Sequence, residues 1–296
     1  MAVMATVFSG GVASRVTVHH AVADGKGVWM FMDMWAASCR GEDAVSLPVH
    51  DRAVIVHEGG EEIARRFVKA LAPEIPKMPA HPLPIEHRLR LQRRTFILSS
   101  SAVQSLKDRI LSQSNGSHSP STFTAISAHA WVSIAKTIAS AAVDVTNLIF
   151  LADCRSRLNP PLPDSYAGNC VGPCYATAMW HALLGPQGLL LAQAEVARAV
   201  QERAKDPLRG CENWVEEFMG VAESGRVVVS GSPRFRVYET DFGWGELGRV
   251  ELVSMNKDME VVLVGGREPG SVQVSIVLDP GQMRLFAEVF LDGLEV

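Results

Sequence analysis

The 296-residue sequence lacks the features that mark several specialised classes of protein. No apolar run approaches the roughly 20 residues that a membrane-spanning helix requires. The net charge is -4 and the sequence pI is near 6.1, so no excess of positive charge favours nucleic acid or an anionic membrane. Neither of these is expected as a partner, and a small molecule is the expected ligand.

Cysteine is sparse, and its positions suggest no disulfide framework. A chain of this length can bury a core without disulfides, so five scattered cysteines indicate a reducing compartment, and a cytoplasmic location is expected. The segment from Met1 to Phe8 is apolar but lacks a basic n-region and runs directly into Gly10-Gly11, which is not typical of a secretory signal peptide. The cysteines are Cys39, Cys154, Cys170, Cys174 and Cys211.

The motifs of some common enzyme classes are also missing. The sequence contains no G-x-S-x-G nucleophile elbow and no phosphate-binding P-loop. Cys170, Cys174 and His181 offer zinc ligands, but their spacing is not that of a structural zinc site and a fourth ligand is not evident. Buried cysteines without a metal are the more ordinary interpretation, and no metal is expected.

Apolar periodicity along the chain predicts mixed strands and helices, and hence an α/β layered fold. Predicted strands lie at 12–18, 95–98 and 145–151, and in three later runs around 250–252, 261–263 and 272–278. Predicted helices carry the apolar residues of 28–35, 63–71, 103–110, 123–138, 191–203 and 283–290, and the serines at 99–101 are candidate caps for the third of these.

Five prolines fall between residues 73 and 84, a density that excludes helix and sheet. Residues 73–94 are therefore predicted to be an extended crossover between two folding units. The predicted domains are residues 1–72 and residues 95–296.

The strongest candidate for chemistry is the segment His19-His20-Ala21-Val22-Ala23-Asp24-Gly25 at a predicted strand-to-helix turn. Its spacing alone is weak evidence, but Gly25 and Gly27 allow a tight turn and a close approach of the backbone to a ligand. Neutral imidazole can remove the proton of an alcohol near pH 7, and a thioester needs no further activation. The residues leave open whether Asp24 orients the loop or stabilises an imidazolium. They also leave open whether the histidine is catalytic or is a hydrogen-bonded structural residue.

Two other segments carry charged or aromatic residues. Asp241-Phe242-Gly243-Trp244-Gly245 interleaves aromatic rings with glycine, which is typical of a bulge or tight turn. Asp153-Cys154-Arg155-Ser156-Arg157 follows a predicted buried strand. Arginines at such a place usually mark a solvated strand end, although one of them can pair with a carboxylate.

Together, H-H-A-V-A-D-G-K-G, A-D-C-R-S-R-L-N-P-P, Y-A-G-N-C and D-F-G-W-G, in this order, resemble the BAHD acyltransferases of plant specialised metabolism. The resemblance covers nearly the whole chain. It implies two chloramphenicol-acetyltransferase-like domains with mixed sheets and a solvent channel between them. It also implies that His20 is a general base that acyl-CoA and an acceptor alcohol reach from opposite sides, in a monomer with no bound cofactor.

The resemblance further implies the roles of the remaining motifs. Asp24 is expected to pair with Arg155, and the D-F-G-W-G residues Asp241, Gly243, Trp244 and Gly245 are expected to support the channel from a distance. Y-A-G-N-C is similar to the Y-F-G-N-C signature of enzymes that use malonyl-CoA to acylate flavonoid or phenolic glycosides, with Ala167 in place of phenylalanine.

In family members the histidine motif lies well along the chain, whereas here it begins at residue 19. The resemblance therefore implies that the first part of the N-terminal domain is missing. The leading hypothesis is an enzyme that moves an acyl group, malonyl in the first instance, from coenzyme A to a hydroxyl of a glycosylated phenolic. The alternative is a truncated, non-catalytic remnant of such an enzyme. A hydrolase that uses His20 is disfavoured because no nucleophile motif accompanies the histidine.

Overall fold

The protein has an α/β fold, as the sequence predicts. The computed structural model describes residues 1–42, 47–71, 89–114, 116, 119–138, 144–221, 225–253 and 257–294. The strands are β1 (Ala2–Phe8), β2 (Gly11–Thr17), β3 (Gln92–Leu98), β4 (Val145–Asp153), β5 (Val171–Met179), β6 (Arg226–Ser232), β7 (Glu260–Gly265) and β8 (Val272–Leu278). The helices are α1 (Gly25–Cys39), α2 (Gly60–Leu71), α3 (Ser100–Gln113), α4 (Thr122–Thr137), α5 (Trp180–Leu184), α6 (Gly188–Lys205), α7 (Trp214–Gly220) and α8 (Pro280–Asp292).

The chain divides into two compact units, each built from several segments. Unit 1 comprises Met1–Ile55, Asp153–Val171 and Glu239–Gly248, and unit 2 comprises Val56–Ala152, Gly172–Tyr238 and Arg249–Val296. The predicted crossover lies mostly outside the described residues, and β3 begins within its last part, at Gln92. The domain division at 1–72 and 95–296 stays a prediction.

Unit 1 contains α1 and the antiparallel hairpin of β1 and β2. The register of the hairpin pairs Ala2 with Thr17 and Phe8 with Gly11. Almost every residue of both strands is exposed, including Val7 and Phe8. The sequence of β1 is almost entirely apolar and lacks the alternation of apolar and polar residues that indicates a strand, so it predicts none.

Unit 2 is built on a six-stranded mixed sheet with the order β3-β8-β7-β6-β4-β5. The pairs β3–β8 and β8–β7 are antiparallel, whereas β7–β6 and β6–β4 are parallel. Strands β7 and β8 are buried along their whole length, including the polar residues Gln273 and Ser275 that alternate with apolar ones in β8. These two strands are confirmed where the sequence predicts them.

Helix α4 lies in the core of unit 2, with nearly all of its residues buried. Ser121 caps its N-terminus by accepting the amide of Thr124 at 3.1 Å. The imidazole of His129, buried in this helix, donates from Nε2 to the carbonyl of Phe290 at 2.8 Å, because a carbonyl can only accept. Burial lowers the pKa of His129 to about 4, with Arg109 and Lys136 acting in the same direction against the opposing effect of the Phe290 carbonyl.

One predicted strand is wrong. Residues 249–253 form no strand, although Val250 and Leu252 alternate as strand residues do. Their backbone groups bond to side chains instead: the Val250 amide donates to Tyr238 Oη at 3.3 Å, and the Val250 carbonyl accepts from Gln273 Nε2 at 2.9 Å. The Leu252 carbonyl accepts from Arg93 Nη1 at 3.2 Å. These bonds take the place of a strand ladder.

The predicted helices over 28–35, 63–71, 103–110, 123–138, 191–203 and 283–290 are confirmed as α1, α2, α3, α4, α6 and α8. The sequence predicts neither β5 nor β6, and it misses the short helices α5 and α7. In the part of the chain that the structure describes, none of the helices combines the length and the apolar character that a membrane span needs.

Candidate active site around His20

His20 lies in the connection between β2 and α1 in unit 1, and its side chain is exposed. The neighbouring His19 closes a tight turn, because its Nδ1 accepts the amide of Ala21 at 3.1 Å and its carbonyl accepts the amide of Val22 at 2.9 Å. The two adjacent histidines therefore differ. The ring of His19 serves the turn, whereas the ring of His20 stands where a ligand can reach it.

Asp24 ends this connection as the N-cap residue of α1. Its Oδ1 accepts the amide of Gly27 at 3.1 Å, which satisfies one of the donors at the start of the helix. Its Oδ2 accepts the amide of Cys170 at 3.0 Å. The side chain is only 3% exposed, and both carboxylate oxygens are occupied by donors from the protein.

Arg155 is the charged partner of Asp24. Its Nη2 lies 2.9 Å from the carboxylate, and the Arg155 side chain is 1% exposed. Nη2 also donates to the carbonyl of Gly168 at 2.7 Å, while Nη1 donates to the carboxylate of Asp153 and Nε to the carbonyl of Tyr166, both at 2.9 Å. Burial alone would lower the pKa of Arg155, but its hydrogen bonds to Asp24 and Asp153 outweigh this and raise it. The charge of the guanidinium is thus fully compensated.

The segment 166–170 surrounds this ion pair with its backbone. Gly27, in the first turn of α1, packs so tightly on the segment that an added Cβ would lie 2.0 Å from the carbonyl oxygen of Ala167. Glycine is therefore required at position 27. At Asn169 the side-chain Nδ2 donates to the carbonyl of His20 at 2.7 Å. The pattern of the sequence singles out neither this contact nor the one at Gly27.

The thiol of Cys170 packs in a small apolar cluster beside the ion pair. Cys154, Leu162 and Tyr166 complete that cluster. Burial raises the pKa of Cys170 to about 12, so the thiol is protonated and a poor nucleophile at neutral pH. The zinc hypothesis has no support, since among the described residues no three His, Cys, Asp or Glu side chains form a group that could hold a metal ion.

The D-F-G-W-G segment lies at the other end of α1. The carbonyl of Asp241 accepts from Arg40 Nη1 just beyond the helix C-terminus, and Phe242 packs edge-on against Trp35 with ring centroids 5.1 Å apart. Since α1 has 15 residues, this end lies roughly 20 Å along the helix from Asp24. The segment is therefore in contact with the helix that carries the Asp24 cap, but not with His20.

Glycine shapes the D-F-G-W-G segment into a turn. Gly243 and Gly245 have φ values of 78° and 103°, which other residues rarely adopt. The Asp241 carboxylate accepts the amide of Gly243 at 2.7 Å, and the Trp244 ring stacks on Phe242 while staying 71% exposed. Gly243, Gly245 and Gly248 also have the G-x-G-x-x-G spacing of dinucleotide-binding proteins. No strand directly precedes them and no helix directly follows, so they lack the structure in which that spacing binds phosphate.

Comparison with known proteins assigns the chain to a family. The model of the Transferase family matches residues 1–292. The chain belongs to this family, that of the BAHD acyltransferases. The resemblance of the sequence motifs to BAHD acyltransferases is thus confirmed.

Two curated relatives of the chain are malonyltransferases. The malonyl-coenzyme A:anthocyanin 3-O-glucoside-6''-O-malonyltransferase of Dahlia pinnata is 28% identical over 303 residues, which cover 96% of this chain and 64% of the relative. Phenolic glucoside malonyltransferase 1 of Arabidopsis thaliana is 28% identical, with 96% and 66% covered. The chain thus spans about two thirds of the length of these BAHD relatives.

A solved structure supports the same fold. The crystal structure of vinorine synthase matches with a TM-score of 0.74 at 19% identity, over 98% of this chain and 65% of that one. At this identity the likeness concerns the fold alone. The family and the fold are therefore shown, while acyl transfer by this chain, the acyl donor, the acceptor and the roles of individual residues are matters for proposal.

Proposed function

We propose that this BAHD chain transfers an acyl group, malonyl in the first instance, from coenzyme A to a hydroxyl of a flavonoid or phenolic glycoside, with His20 as the general base. The observation that carries the proposal is the contrast between His20 and Asp24. The histidine is exposed to an incoming ligand, whereas the aspartate four residues later is buried and bonded to Arg155.

The chemistry needs little more than one base. The proton of the acceptor hydroxyl passes to a neutral ring nitrogen of His20 while the hydroxyl oxygen attacks the thioester carbonyl. The tetrahedral intermediate collapses as its carbon–sulfur bond breaks, and coenzyme A leaves as a thiol with the proton that the imidazolium returns. Imidazole suits both transfers because its pKa lies near neutral pH.

In this proposal Asp24 is a structural residue and does not act on the imidazole directly. Both of its oxygens already accept hydrogen bonds from Gly27, Cys170 and Arg155, and its side chain is shielded from solvent. Arg155 holds the same carboxylate and two backbone carbonyls, so it fixes the chain that follows β4. The D-F-G-W-G residues Asp241, Gly243, Trp244 and Gly245 support α1 at its C-terminal end.

The choice of malonyl-CoA and a glycoside acceptor rests on the two curated relatives, whose names both give a malonyl group and a glucoside, and of which the Dahlia pinnata enzyme's name also gives coenzyme A. Ala167, where the Y-F-G-N-C signature has phenylalanine, is the position at which this chain departs from malonyl-CoA users. Ala167 is 2% exposed, so it is buried and does not form part of an open surface.

The experiment is a product assay with two sets of substrates. The purified chain is incubated with malonyl-, acetyl- or coumaroyl-CoA and with anthocyanin or simple phenolic glucosides, and esters are detected by mass spectrometry. A malonyl ester on a glucoside hydroxyl is expected. Transfer of another acyl group would correct the donor, and the absence of any ester with folded protein would favour a non-catalytic remnant.

A further inference from the structure

Two side chains from other parts of unit 1 hold consecutive carbonyls of the His20 loop. Asn169 Nδ2 donates to the carbonyl of His20 at 2.7 Å, and Arg52 Nη2 donates to the carbonyl of Ala21 at 2.7 Å. Asn169 lies 149 residues away in sequence and Arg52 lies 31 residues away. The loop is thus fixed by more than its own turn.

The orientation of the Asn169 amide follows from its partner. A carbonyl only accepts hydrogen bonds, so the NH₂ side of the amide must face His20. The Asn169 Oδ1 atom is then directed elsewhere, and it is buried without a hydrogen-bond partner among the described residues. A buried acceptor without a hydrogen bond costs free energy of folding. The hydrogen bond that the Asn169 side chain makes is therefore the one from Nδ2 to the carbonyl of His20, and not one to its own oxygen.

The Asp24–Arg155 pair fixes the backbone on both sides of Asn169. The Gly168 carbonyl before it accepts from Arg155 Nη2 at 2.7 Å, and the Cys170 amide after it donates to Asp24 Oδ2 at 3.0 Å. Asn169 therefore projects from a stretch of unit 1 whose backbone is bonded to the ion pair on both sides. It connects the buried ion pair to the loop that carries the exposed histidine.

We propose that Asn169 is a positioning residue for His20, and that the hydrogen bond from Arg52 to Ala21 is a second contact that fixes the same loop. The inference rests on the proposed function, because it takes His20 as the base. A general base works only within hydrogen-bond reach of the proton it removes, and a misplacement of about 1 Å can cost on the order of a hundredfold in rate. This gives the asparagine of Y-A-G-N-C a role that does not depend on which acyl group is transferred.

The decisive variant is Asn169→Asp, which keeps the size of the side chain but removes its donor. A carboxylate oxygen would then face the carbonyl oxygen of His20, and the two would repel. Asn169→Ala is the second variant, and Arg52→Ala with Arg52→Lys tests the second contact, because lysine retains a donor. Asn147→Ala is the matched control, since the Asn147 side chain accepts from Thr177 in unit 2 at 2.8 Å.

Hydrogen exchange of backbone amides measures how readily the His20 loop opens, and it does not depend on enzyme turnover. In Asn169→Asp the amides of Ala21 and Val22 are expected to exchange at least about tenfold faster, because local opening of the turn becomes easier. The amide of Gly27, which Asp24 holds, should change by less than about threefold. Unchanged exchange at Ala21 and Val22 in a folded Asn169→Asp protein would overturn the inference.

Kinetics separates positioning from donor recognition. The kcat of Asn169→Asp is expected to fall about 10- to 100-fold, with the KM for acyl-CoA within about threefold and the preference between donors unchanged. A changed donor preference with kcat retained for one donor would overturn the inference. Turnover that survives in His20→Ala would instead overturn the proposed function and leave the exchange result intact.

Discussion

The guanidinium of Arg155 lies 2.9 Å from the carboxylate of Asp24, and neither side chain is more than 3% exposed. The two residues are 131 positions apart in sequence. Their bond joins the start of α1 to the chain that follows β4, so the position of the His20 loop depends on a buried charge pair.

The first prediction concerns the loss of charge at Asp24. In Asp24→Asn an NH₂ group would replace one of the two carboxylate oxygens and face donors that now bond to it, and Arg155 would lose its most buried counter-charge. Breaking a buried ion pair on one side costs about 3–5 kcal/mol, and the free energy of unfolding is expected to fall by about that amount in a denaturant titration. The control is Arg198→Ala on α6, whose exposed ion pairs with Glu195 and Glu202 should cost about 1 kcal/mol or less. An Asp24→Asn protein that is inactive but as stable as wild type would indicate a direct electrostatic role instead.

The second prediction concerns the contact at Gly27. An added Cβ would lie 2.0 Å from the Ala167 carbonyl oxygen, so Gly27→Ala forces apart α1 and the segment that holds Asn169. The free energy of unfolding is expected to fall by about 1–3 kcal/mol, as for other overpacked sites. Gly220→Ala is the control, because a Cβ at Gly220 meets nothing within 4 Å. Equal stability of the two variants would show that the backbone at Gly27 moves freely.

The third prediction is a pH dependence that arises at His129. Burial lowers the pKa of this imidazole from 6.5 to about 4, so the unfolded chain binds a proton that the folded chain does not. The corresponding stability is present above about pH 6.5 and is lost as the pH falls towards 4. A shift of this size corresponds to on the order of 3 kcal/mol.

The measurement is the free energy of unfolding between pH 7 and pH 4 for wild type, His129→Gln and His181→Gln. The His129 variant should lose less stability over this range than wild type, although it starts from a lower value. The exposed His181 should leave the curve unchanged. Parallel curves for wild type and His129→Gln would contradict the assignment.

The fourth prediction concerns the reactivity of the thiols. Cys39 is exposed, whereas the other four cysteines are buried, and burial raises the pKa of Cys170 to about 12. One of the five thiols is therefore expected to react rapidly with a maleimide in the folded protein near pH 7.5, and all five after unfolding. Cys39→Ser should abolish the rapid reaction. Rapid labelling of Cys170 would show that the loop around Asp24 opens readily.

Structural features that depend on residues close together in sequence can be predicted from it, whereas contacts between residues far apart in sequence cannot. The apolar spacing of α1 is a local feature, and it predicts the helix that follows His20 and Asp24. The turn expected at Gly25 and Gly27 is wrong, because both glycines lie in the first turn of α1 and the tight turn is formed by His19–Val22. The exposed hairpin strand β1 gives no such pattern, and the strand predicted at Val250 is replaced by bonds from side chains that are distant in sequence.

The candidate site itself depends on long-range contacts that a local pattern cannot show. From the residues alone the partner of Asp24 stays open, and only the resemblance to BAHD acyltransferases points to Arg155. Asn169 belongs to the Y-A-G-N-C motif, but neither its bond to the His20 loop nor that of Arg52 follows from a local pattern, since each requires the folded backbone to bring the donor within reach.

The role of His20 as the general base is tested most directly by the rate of acyl transfer in His20→Ala, with His181→Ala as the matched control. The side chain of His20 is exposed, so its removal should leave the thermal transition unchanged. With malonyl-CoA and a phenolic glucoside, kcat is expected to fall by at least about a hundredfold, the usual effect of losing a general base, while His181→Ala stays at the wild-type rate. Turnover by folded His20→Ala within a few fold of wild type would contradict the account.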